Sequence, residues 1–148
     1  MSEDVLKKIR LVLFYIGFLI IAVSVSYFIA YPVGFAPNGY ELIESTEDKA
    51  TLQTYTIMGM KDEEITYRPE EENEWKITFL SERIDQLPQD YFFFFTSVTV
   101  AIFWAGIDFI RRRSLKRSLL QAGAFMLFPT LTLVGSINDI KDVIQHSL

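Results

Sequence analysis

The sequence predicts a membrane α-helical fold, three transmembrane helices with a small extracytoplasmic antiparallel β (α+β) domain inserted between the first and the second. Residues 11–31 and 118–137 carry no charged side chain, and residues 91–110 carry one, Asp108. As helices, runs of 21, 20 and 20 residues each reach across a hydrocarbon core of ~30 Å. A mean hydropathy of +0.22 alongside 22% charged residues requires charge and apolarity to be segregated along the chain. Between the first two apolar runs the hydrophobic period shortens toward two, the signature of strands rather than helices.

Residues 1–10 set Lys7, Lys8 and Arg10 against Glu3 and Asp4. The link 111–117 (RRRSLKR) holds five bases and no acid, whereas segment 32–90 holds fourteen acids and five bases. Short basic loops stay cytoplasmic, and acids weigh little in that rule. The N-terminus and the link are therefore expected inside, with 32–90 and the tail 138–148 outside. Ala22-Val23-Ser24 resembles a signal-peptide cleavage site, but the apolar run continues through Ile29, too long for a signal core. We expect it to remain as a span. Tyr27, Tyr31 and Tyr40 on one side and Tyr91 to Phe95 on the other are expected to form an outer aromatic belt.

Within 32–90, Pro32, Gly34, Pro37 and Asn38-Gly39 mark an irregular exit from the first span. Strands are expected near 40–44, 51–58 and 64–67, and again where Trp75, Ile77 and Phe79 alternate with Glu74, Lys76 and Thr78. Ser81 is expected to cap a short helix, Glu82 to Leu87, ended by Pro88. So small a domain makes a marginal core alone. Leu52, Ile57, Ile65, Tyr67, Trp75, Ile77 and Phe79 are expected to complete their burial against the spans, the membrane surface or a partner. In the tail, Ile137, Ile140, Val143 and Ile144 recur at helical spacing, which predicts an amphipathic helix lying on the outer surface.

Reactive constellations are scarce. The chain has no cysteine and one histidine, His146, with neither a phosphate-binding glycine loop nor a nucleophile elbow. The run Glu70, Glu71, Glu72, Glu74 lacks the alternating spacing of a calcium loop and reads as a solvated turn. The expectation is therefore no enzyme, no cofactor and no resident metal. Small residues recur every four positions at Ala22, Ser26, Ala30 and at Ser97, Ala101, Ala105. Such stripes let helices approach in lipid. They are expected to pack on each other, and the second is expected also to recruit a partner. Asp108 precedes Arg111 and Arg112 by three and four residues, the helical spacing of an interfacial ion pair. Arg111, Arg112, Arg113, Lys116 and Arg117 are expected to meet anionic lipid. Pro129 frees the Phe125 carbonyl, and Thr130, Thr132 or an outside partner is expected to satisfy a kink there.

No Asn-x-Ser/Thr sequon is present at Asn38, Asn73 or Asn138, and a bacterial plasma (inner) membrane is the expected location. The expected role is a small non-catalytic accessory subunit or stabiliser of a larger membrane complex. Its expected partners are membrane lipids and other membrane subunits, not nucleic acid. The alternative is a stand-alone binding protein, an immunity factor or envelope sensor, whose acidic outer domain captures a cationic peptide or protein. A transporter or channel is disfavoured, because three spans with few intramembrane polar groups do not line a path.

Overall fold

The computed structural model describes residues 2–145, so His146 and the last two residues of the expected tail lie outside the described residues. The order of elements is α1 (Glu3–Ala30), β1 (Tyr40–Ser45), β2 (Ala50–Tyr55), β3 (Lys61–Tyr67), α2 (Trp75–Ile110) and α3 (Leu115–Gln145). Each of the three helices is long and apolar enough to cross a membrane. The small sheet between α1 and α2 is antiparallel, in the order β1-β2-β3.

Three of the four expected strands form. The fourth does not: Trp75, Ile77 and Phe79 lie in the first turns of α2, which continues without a break to Ile110. Ile77, Leu80, Ile84, Leu87 and Tyr91 are all buried, and their alternating three- and four-residue steps mark one helix face. That pattern spans four turns, whereas the period-two pattern spans only five residues, and the longer pattern wins. In the helix Trp75 and Phe79 become i,i+4 neighbours with ring centroids 6.4 Å apart, and Arg83 lies 5.2 Å over Phe79. Trp75 stays 62% exposed. The acidic run forms a 3-10 turn, Glu71–Asn73, leading into α2, where carboxylates favour the positive helix end.

The expected short helix ended by Pro88 is corrected in the same way, for Pro88 lies inside α2. An interior proline removes one helical hydrogen bond and costs about 3 kcal/mol. Burial of Ile84, Leu87 and Tyr91 on either side of it offsets that cost. Ile84, whose carbonyl the proline leaves free, and Pro88 also line an open cleft of roughly 480 Å³ beside the sheet.

The tail is corrected as well. Residues 138–145 continue α3 and pack on the outer part of α2 rather than lying separately on a surface. Ile140 and Ile144 are buried in one cluster with Leu52, Tyr67, Leu80 and Leu87. Ser136 donates to Asp90 Oδ2 at 2.7 Å, and Arg83 pairs with Asp139 at 3.7 Å. This core thus joins the sheet, the start of α2 and the end of α3.

Leu52, opposite Leu42 on β1 and Ile65 on β3, anchors the sheet on this core. Both sheet edges are blunted. Ile43 sits at a bulge in β1, and Lys61 to Glu64 of β3 are exposed and charged, features that oppose strand addition. The β2–β3 turn depends on Gly59, which has φ +77°, and a Cβ there would come within 2.4 Å of Phe35. Phe35 in turn lies 6.0 Å from Phe95, so the turn, with exposed Ile57, Met58 and Met60, sits level with the outer part of the apolar segment of α2. Ile57 is therefore exposed, not part of the core. Tyr91 donates to the Pro37 carbonyl at 2.7 Å and ties the loop after α1 to α2.

Two outcomes test this arrangement. Ending the chain after Gly135 removes Ile140 and Ile144 and should leave residues 40–75 open to limited proteolysis, whereas an independent surface tail would be lost silently. Leu80, fully buried, should lose about 2–5 kcal/mol on Leu80→Ala, while Ile57→Ala at the exposed turn should stay within about 0.5 kcal/mol, both read by thermal unfolding in detergent.

Candidate functional site

α1 and α3 each pack on α2, and α1 and α3 meet each other at most marginally. α1 runs antiparallel to α2: Phe14 and Phe18 meet Phe103, and Tyr27 and Tyr31 meet Phe92. Ala22, Ser26 and Ala30 are the buried residues of α1. Ser97 and Ala101, also buried, lie roughly 140–180° around α2 from Phe92 at 3.6 residues per turn. They line clefts shared with α3 residues Ala122, Phe125 and Pro129. The two stripes therefore do not pack on each other, because they use opposite faces of α2. Ser97 and Ala101 face α3 across these clefts. Ala105 is half-buried.

Polar groups in the apolar segment of α2 are satisfied locally. Thr96, Ser97 and Thr99 donate to the carbonyls of Phe92, Phe94 and Phe95 at 2.8, 2.7 and 2.8 Å. In α3, Thr132 donates to Phe128 at 2.9 Å, not to the Phe125 carbonyl that Pro129 frees. The buried hydroxyls Ser26 Oγ and Ser118 Oγ have no hydrogen-bond partner among the described residues.

The basic link forms a tight α2–α3 turn. The Arg112 N–H donates to Phe109 and the Arg113 N–H to Asp108, at 3.1 and 2.9 Å. Arg112 is left-handed, with φ +55°. These two bonds close a Schellman-type helix end, with arginine where glycine is the usual choice. The turn leaves Arg111 and Arg112 exposed and brings Arg113 back over the helix end. Asp108, only 6% exposed, consequently pairs with Arg113, Nη1 to Oδ1 at 3.7 Å, rather than with Arg111 or Arg112. The i+3 and i+4 pairing fails because the helix stops at Ile110. Around this pair lies a cleft of roughly 420 Å³ that also includes Ser114, Arg117 and Ser118.

At the other end of α2 the outer cleft brings Tyr40, Tyr55 and Tyr91 together with Glu41 and Asp85. Tyr55 donates a short hydrogen bond to Glu41, and the neighbouring carboxylate pushes the phenol up from 10.0 to about 12. Burial raises the Tyr40 phenol. Sequence reasoning missed this cleft, since its residues come from the exit of α1, from β1 and β2 and from α2, and no local motif joins them.

Because the folded Tyr55 value lies above its ordinary one, the contribution of this bond is complete below pH 10 and is lost as pH rises toward about 12. Glu41→Gln should return one tyrosine to ordinary ionisation in a spectrophotometric titration. Arg113→Gln leaves a buried carboxylate unpaired and should cost about 1–3 kcal/mol, while Asp108→Asn frees only an exposed arginine and should cost less than about 1 kcal/mol. Leucine at Ala22, fully buried on α1, should overpack by about 1–3 kcal/mol. Ala101→Leu can place its bulk in the adjoining cleft and should cost less.

No protein-family model, no curated protein and no solved structure matches this chain.

Proposed function

We propose that the chain is a small non-catalytic integral membrane accessory subunit, spanning a plasma membrane three times with residues 1–10 and the basic link inside and the sheet outside. The observation that carries this reading is the flat arrangement of the helices, with α2 in the middle and α1 and α3 on separate faces. A row of this kind encloses no path and leaves broad flanks, with Ile102, Trp104, Phe109 and Phe128 exposed along α2 and α3. Association in lipid relies on packing of such faces rather than on hydrophobicity. The outer core, built partly from the ends of α2 and α3, would transmit a partner's position from one side of the bilayer to the other.

The outer cleft favours a second reading, a binding protein for a cationic peptide. Tyrosine faces attract cations, and Glu41 and Asp85 supply compensating charge.

Purification in mild detergent followed by mass spectrometry separates the two. Stoichiometric heterologous membrane subunits are the expected result. A lone chain that retains a basic peptide would replace the accessory reading with the second one. Protease added outside should cut near 60–75 and spare a tag at the N-terminus, and cleavage of that tag would remove the topology.

A further inference from the structure

The seam between α2 and α3 changes chemistry along its length. At its basic end, the cleft of roughly 420 Å³ is lined by Asp108, Arg113, Ser114, Arg117 and Ser118. Trp104 and Gln121 line this cleft and also the next, an apolar groove of roughly 260 Å³ with Val100, Ala101, Ala122 and Phe125. Phe125 in turn lines a third cleft, with Phe93, Phe128 and Pro129. The charged recess and the apolar groove are thus adjacent, with Trp104 and Gln121 between them, and the third cleft, which ends at Asp90, follows along the same seam.

We propose that this seam binds one anionic phospholipid, its phosphate in the recess at Arg113 and Arg117 and an acyl chain in the groove beyond Trp104. Arg113 balances the buried Asp108 carboxylate at 3.7 Å, which leaves the Arg117 guanidinium as the unbalanced charge on the recess, beside the start of the 31-residue α3, where Ser114 Oγ accepts only a long bond of 3.5 Å from the Arg117 N–H. A helix N-terminus of this kind favours an anion. Ser118 supplies the independent sign of a ligand. It lines the recess, is 1% exposed, and its hydroxyl has no hydrogen-bond partner among the described residues. Burying a hydroxyl unpaired is costly, and a phosphate oxygen accepts its proton. A free phosphate would use the recess and ignore the groove, and a neutral lipid tail would do the reverse. Their continuity selects a molecule with both parts. The inference rests on α2 and α3 crossing a membrane and is independent of the accessory role.

The test uses the full chain in neutral detergent, with native mass spectrometry after addition of phosphatidylglycerol or phosphatidylcholine at equal concentration. One phosphatidylglycerol should be retained per chain in preference to phosphatidylcholine. Arg117→Gln should weaken retention about fivefold, and Arg117→Lys should restore most of it. Ala122→Phe, which narrows the groove and leaves charge unchanged, should weaken retention by a similar factor. The double substitution Arg111→Gln with Arg112→Gln removes two charges from outside the recess and should leave retention near the parent level. Equal loss in that double variant would replace the site with diffuse surface charge and overturn the proposal. Undiminished retention in Ala122→Phe, or complete displacement by inorganic phosphate, would reduce it to an anion recess without a lipid. Because the readout uses the isolated chain, a missing partner subunit leaves this result unaffected.

Discussion

Everything in this molecule leans on the continuity of α2. Thirty-six residues in one helix measure about 54 Å at 1.5 Å per residue, against a hydrocarbon core of about 30 Å. A helix of that length in a bilayer projects by several turns, and its amphipathic first turns supply the wall on which the sheet rests. α1 takes one face of its apolar part and α3 another. Pro88 falls where the polar first turns of α2 meet its apolar part, beside an open cleft.

This continuity also solves the problem of a domain too small to fold alone. The sheet offers Ala50, Leu52 and Tyr67, while Ile77, Leu80, Ile84, Leu87 and Tyr91 come from α2, and Leu133, Ile140 and Ile144 from α3. The core is thus drawn from segments separated by some seventy residues of chain. Its order depends on α2 and α3 standing side by side, so the outer domain and the spans are one cooperative structure rather than a head on a stem. Tyr91, holding the Pro37 carbonyl, ties the α1 exit to the same frame.

The apolar runs and the first three strands were legible because each signal is local: twenty uncharged residues, or a few alternating ones bounded by turns. Trp75, Ile77 and Phe79 misled for the same reason. Their two-residue alternation is local, while the competing three-four rhythm from Ile77 to Tyr91 becomes clear only when read across Pro88. Ile140 and Ile144 were recognised as one helical face, but what covers that face is set by where α2 ends up, and spacing within the tail does not encode that. Asp108 was recognised as a paired carboxylate, yet its partner depends on the left-handed Arg112, a residue type that gives no warning of such a turn. The small-residue stripes were visible as stripes. Their orientation was not, because a one-dimensional spacing does not say which of two helices stands on which side of α2.

The α2–α3 seam combines two kinds of packing. The end beside the sheet closes tightly, with Leu133 and Ile140 buried and Ser136 bonded to Asp90, and the basic end stays open as a cleft around the Asp108–Arg113 pair. Between them, small Ala101 and Ser97 stand beside bulky Trp104, Phe125 and Phe128, which leaves clefts instead of close backbone contact. In water such gaps in an apolar seam would forfeit dispersion contacts and hydrophobic burial together. In lipid the second loss vanishes, since a neighbouring chain is as apolar as leucine. A seam in lipid therefore needs firm closure only where polar groups are paired across it, as Ser136 and Asp90 are.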